Sequence, residues 1–114
     1  MSEMIYKVVR ANEWASAREG GVFNGSADDV SDGFIHLSRA AQLKATLEKH
    51  FAGEDGLLLV AVNAGGFGPE LIWETSRGGE GFPHLYGSLK LTSVHSVVPI
   101  HRDGEGHPIL PSDL

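Results

Sequence analysis

Two short segments, Gly33-Phe34-Ile35-His36-Leu37-Ser38 and Phe82-Pro83-His84-Leu85-Tyr86-Gly87, each set one imidazole among apolar neighbours. Alternate side chains of a β-strand share a face. Phe34, His36 and Ser38 therefore point one way, with Ile35 and Leu37 opposed, and His84 and Tyr86 share a face opposite Leu85. If these faces meet, two imidazoles, a hydroxyl and a phenol enter one pocket. An imidazole titrates near neutral pH, which makes His84 a candidate proton donor or acceptor. Tyr86 is placed to stack on a ring or to bond a hydroxyl. His36 precedes an expected helix start, where free N–H groups favour anions. With Ser38 it is a candidate holder of a phosphate, carboxylate or ribose group. Glu74 follows Trp73 at the end of a short strand and is a candidate general base or ribose ligand.

Each of these residues also has a plain structural reading. His36 can be a core histidine satisfied by backbone carbonyls, and Ser38 a simple helix cap. His84 and Tyr86 can belong to a packed turn, and Glu74 to a solvated strand end. Arg77 and Glu80 read as surface charges in a glycine-rich loop. No two histidines stand at the helical spacing of a zinc pair, so a metal site would require scattered ligands such as His36, His84 and Glu74 to converge, and none is assigned. Gly65-Gly66-Phe67-Gly68 follows a strand, but Pro69 intervenes and no helix opens behind it, as a dinucleotide fingerprint requires.

The elements that must carry these groups can be read along the chain. Residues 4–10 are rich in β-branched side chains and predict a first strand. Asn12 is expected to cap a helix over residues 13–18, with Trp14 and Ala17 on its inner side and Gly20-Gly21 ending it. Residues 24–32 read as a polar loop. Ser38 is expected to cap the best helix, residues 39–51, whose Ala40, Leu43, Leu47 and Phe51 form one apolar stripe. The continuous apolar run from Leu57 to Val62 predicts a central strand covered on both faces. Short strands follow around Trp73 and His84, then a last one within residues 91–101. Together these predict one α+β domain over residues 1–101, with a mixed, mostly antiparallel sheet and two helices. Residues 102–114, with Pro108 and Pro111, are expected to form an irregular tail.

Composition narrows the function classes. The chain of 114 residues is of single-domain size and has a net charge of −6 with no cysteine. Disulfides and thiolate metal sites are thereby ruled out. Nine basic residues are scattered along the chain and form no stripe for a nucleic-acid backbone. No apolar run reaches the length of a signal peptide or a membrane span. The expectation is a cytoplasmic protein with a small-molecule ligand, of no stated oligomeric state.

The same segments carry a resemblance. An Ile5-Tyr6 start, Glu13-Trp14, Gly33-Phe34-Ile35-His36-x-Ser38 with Gln42, Trp73-Glu74, and Phe82-Pro83-His84-Leu85-Tyr86-Gly87 resemble the domain-of-unknown-function 952 family. The likeness runs over roughly residues 4–100 in family order. That family, mostly bacterial, is grouped remotely with ADP-ribosyltransferase-like folds. The resemblance implies a split, mostly antiparallel sheet around a cleft, with NAD or an ADP-ribose-like nucleotide as substrate for a transferase of the ADP-ribosyl or 2′-phosphate type. It implies that His36 or His84 holds ribose, that Trp73 or Tyr86 stacks on a ring, and that Glu74 is the acidic partner. His36, Glu74 and His84 are then the catalytic candidates, and Ser38, Trp73 and Tyr86 the binding ones. The chain departs from the family pattern at Lys7, commonly a histidine, and at Asn63, commonly an acid.

Overall fold

The computed structural model describes residues 3–75, 79–112 and 114, and among them it holds ten strands and three α-helices, the α-helices all in the first half. The chain opens with β1 (Met4–Arg10), α1 (Ala11–Gly20), β2 (Val22–Phe23) and α2 (Ala27–Asp32), and then β3 (Ile35–His36) and β4 (Ser38–Arg39). A 3₁₀ turn over residues 40–42 leads into α3 (Leu43–His50). The second half holds β5 (Leu57–Asn63), β6 (Leu71–Thr75), β7 (Gly81–Leu85), β8 (Leu89–Lys90), β9 (Val94–Arg102) and β10 (Pro108–Ile109).

Every strand pairing among the described residues is antiparallel, so the sheet is not mixed. The strands form a five-stranded sheet in the order β10-β9-β5-β1-β4, a three-stranded sheet β3-β7-β6 and a two-stranded ribbon β2-β8. As its apolar run predicts, β5 is central, paired with β1 on one side and β9 on the other. Its two faces feed two cores. Leu57, Leu59 and Ala61 join Tyr6 and Val8 beneath Leu43 and Leu47 of α3. Val60 and Val62 join Ile5 and Val9 against Trp14, Phe23, Ile35, Leu37 and Leu85. Leu43 and Leu47 are fully buried, each worth about 1.5–3 kcal/mol of apolar burial.

Several local expectations are corrected. Helix α1 starts at Ala11, so Asn12 lies inside it. Glu13 Oε1 instead accepts the Arg10 N–H at 2.9 Å and closes the helix start. Gly21, at φ 80°, ends the helix in the left-handed region that glycine tolerates. The supposed loop at residues 24–32 contains α2, because Ser26 and Asp29 form a capping box. The first histidine segment is not one strand. Its first half, β3, pairs with β7, whereas β4 crosses over to pair with β1. Ser38 therefore sits in a strand and caps nothing. Its hydroxyl meets Thr46 Oγ1 of α3 at 3.1 Å. The tail contributes β10, which folds back on β9 through a turn where Asp103 Oδ1 accepts the N–H groups of Glu105 and His107. The Ser76–Gly78 part of the glycine loop, including Arg77, lies outside the described residues.

Candidate functional site

The crossing of the chain from β3 to β4 creates the site. β3 belongs to the small sheet and β4 to the large one, and a cleft of about 730 Å³ opens where they diverge. His36, Ser38 and His84 all line it, together with Lys7 of β1 and Asp28, Asp29 and Asp32 of α2. The register explains why the histidines meet. His36 and His84 are directly opposed residues of β3 and β7, and opposed residues share a face. Their ring centroids lie 5.6 Å apart at 71°. Phe34 stacks on His84 at 4.1 Å and touches His36 at 4.6 Å and Tyr86 at 5.1 Å, which fixes the cluster from one side.

Each imidazole is held by a carboxylate through Nδ1. His84 Nδ1 donates to Glu74 Oε1 at 2.7 Å, and the Tyr86 hydroxyl donates to the same oxygen at 2.6 Å. The Tyr86 hydrogen bond, followed by that of His84, holds the Glu74 carboxyl below its usual range, and the same carboxylate pushes the Tyr86 phenol up. An Nδ1–H committed to a carboxylate leaves the lone pair of the neutral ring on Nε2. Among the described residues no polar side chain meets His84 Nε2, and the ring borders the cleft. That atom can accept a proton, and Glu74 stabilises the imidazolium that results.

His36 is held differently. Its Nδ1 lies 2.6 Å from Asp29 Oδ1, and its Nε2 lies 3.0 Å from Asp32 Oδ2. Both ring nitrogens thus face acceptors, an arrangement satisfied in full when each carries a hydrogen. Asp29 is 2 % exposed. It also accepts the backbone N–H of His36 at 3.1 Å and that of Ser26 at 2.9 Å. Lys7 Nζ sits 3.1 and 2.9 Å from its two oxygens. Burial disfavours the Asp29 anion, but the His36 hydrogen bond and the Lys7 charge overcome it and hold the carboxyl well below the usual carboxylate range.

The six residues singled out from sequence are placed as follows. His36, His84 and Ser38 line the cleft; Glu74 and Tyr86 do not, and act on it through His84. Trp73 is not brought to the site. It alternates with Glu74 along β6, and its ring lies under the Arg39 guanidinium, 5.6 Å from the centroid, on the opposite side. The polar partners of both histidine rings are carboxylate side chains rather than the backbone carbonyls of a purely structural histidine. Asp29, Asp32 and Lys7 also belong to the site and were not among those six. Asp29 was hidden in an apparent loop, although Ser26-x-x-Asp29 is a capping-box spacing that reveals the helix. Lys7 stood out only as a departure from a family pattern; its burial against Asp29 depends on how β1 meets α2. Among the described residues no group of three or more His, Asp or Glu is placed to hold a metal ion, and no helix is long and apolar enough to cross a membrane.

Residues 8–97 match the family described as "Protein of unknown function (DUF952)". The chain belongs to the DUF952 family. Three solved structures of protein CC0527 from Caulobacter crescentus carry the likeness over nearly the whole domain. Its crystal structure is 45 % identical in sequence, with a TM-score of 0.90 and 94 % of each chain covered. The crystal structure of a double mutant gives the same values. The solution NMR structure is 44 % identical, with a TM-score of 0.86 and 97 % and 96 % of the two chains covered. No curated protein matches the chain. In this DUF952 domain the two histidine segments are thus neighbouring strands of one small sheet, and Lys7 is the counter-ion of the aspartate that holds His36.

Proposed function

We propose that the cleft binds a nucleotide of the NAD or ADP-ribose class and that His84 transfers a proton to or from it. One observation carries the reading: two carboxylate-oriented imidazoles stand 5.6 Å apart on one wall of the cleft. Its volume of about 730 Å³ suits a ligand of that size. Asp28 and Ser31 offer acceptors for ribose hydroxyls, and Lys49 offers a cation for phosphate. In a transfer step, an acceptor hydroxyl gives its proton to His84 Nε2 as its oxygen takes the ribosyl group and nicotinamide departs. The ADP-ribosyltransferase-like relationship and a cytoplasmic location belong to the same reading. It is tested by titrating the protein with NAD, ADP-ribose and a 2′-phosphorylated oligonucleotide while the histidine ring signals are followed by NMR. Shifts at His36 and His84 are expected, with a turnover that His84→Ala removes. Saturating amounts of all three ligands without ring shifts would refute it.

A second reading, a binding module without turnover, is favoured by Lys7. Where the family pattern commonly has a third histidine, this chain has an ammonium bound to Asp29. On that reading His36→Ala and His84→Ala weaken binding, and no ligand is consumed.

A further inference from the structure

The charges around His36 are arranged in two layers. Against Nδ1, Lys7 and Asp29 neutralise one another at the buried floor of the cleft. In front, at the cleft, the one charge on the ring's second nitrogen is Asp32, whose side chain is 53 % exposed. His84 of β7 completes the set of titratable groups packed against His36, and it meets the ring edge-on rather than through a hydrogen bond. Asp32 is the last residue of α2, directly before Gly33 at φ 88°. A carboxylate there faces the negative end of the helix. Its position is therefore maintained by His36 and not by its own helix.

We propose that the Asp32 carboxylate occupies the place of an anionic group of the ligand, a phosphate or carboxylate, which displaces it to bind His36 Nε2–H. The inference deepens the nucleotide reading of the same cleft by assigning the anion to one nitrogen. An incoming anion repeats the contact that Asp32 makes at 3.0 Å. The buried Lys7–Asp29 pair stays in place and keeps the ring aimed at the cleft. An exposed pair of this kind is weak, so it can yield to a ligand.

The test compares the full chain with its Asp32→Asn variant, titrated with inorganic phosphate, ADP-ribose and adenosine. Removing the competing charge is expected to tighten phosphate and ADP-ribose by about two- to fivefold and to leave adenosine unchanged. Phosphate is also expected to move the His36 ring signals in the variant. Equal tightening of adenosine, or phosphate and ADP-ribose affinities unchanged by the substitution, overturns the assignment. The phosphate arm separates this proposal from the nucleotide reading. Phosphate that tightens and shifts His36 while NAD and ADP-ribose fail to bind supports the anion position and ends the nucleotide reading. ADP-ribose that binds both proteins equally does the reverse.

Discussion

Replacing Asp29 by alanine tests the buried half of the site most directly. The carboxylate is 2 % exposed and holds Lys7 Nζ, the His36 ring and the backbone N–H groups of His36 and Ser26. The substitution strands the Lys7 ammonium, itself 6 % exposed, and leaves those N–H groups without their acceptor. Breaking a buried ion pair from one side costs about 3–5 kcal/mol. For a domain of this length each kcal/mol moves Tm by about 4 °C, so a fall of roughly 12–20 °C is expected in thermal unfolding. The Lys7→Met/Asp29→Leu double variant, which removes both charges, should lose less than Asp29→Ala alone. The pH dependence has a definite sign. The folded-state pKa of Asp29 lies below its unfolded value. Its contribution is therefore fully present above about pH 4–5 and is lost as the pH falls through the folded value. The titration of the Asp29 carboxyl itself should narrow the stability gap between wild type and Asp29→Ala only under acid conditions. A loss below about 1 kcal/mol, or a gap that fails to narrow under acid conditions, would refute the argument that this carboxylate anchors the cleft.

Three further outcomes follow from the same geometry. Tyr86→Phe removes the strongest of the hydrogen bonds that depress Glu74, so the Glu74 carboxyl should titrate at higher pH by carbon-detected NMR; an unchanged midpoint would contradict the shared-oxygen arrangement. Glu74→Gln should leave Tm almost unchanged, because the side chain is substantially exposed, yet shift the tautomer balance of His84 in nitrogen chemical shifts. Gly25→Ala should destabilise the protein by about 1–3 kcal/mol in denaturant unfolding. Gly25 has φ 111°, and an added Cβ would lie 2.7 Å from the Asp29 Cβ; wild-type stability of this variant would show that the loop can move without disturbing Asp29.

Short-range physics explains which parts of the molecule were legible beforehand. The β5 run is apolar at every position through Val62, and only a central strand covered on both faces buries all of it. The stripe of Leu43 and Leu47 seats α3 on that sheet for the same reason. Period-two alternation put His84 and Tyr86 on one face, and one carboxylate oxygen accepts from both. Errors arose where a local signal had two solutions. Ser38 before a helical pattern looks like a cap, but pairing with β1 claims its backbone for a strand. The family resemblance made Trp73 a stacking candidate, whereas strand alternation alone already sets it on the face opposite Glu74, and there its ring lies beside Arg39 rather than in the cleft.

The sequence by itself determined the reactive groups, the faces they share along each strand and the family to which they belong, because these depend on residue identity and backbone period. Tertiary structure alone decided that His36 stands opposite His84, that Glu74 and Tyr86 act from behind the cleft, and that Lys7 and Asp29, 22 residues apart, form the buried pair beneath His36. Cross-strand register and ion pairing between distant segments follow from packing of the whole chain. A buried charge finds its partner by where the core places it, and no local pattern encodes that position.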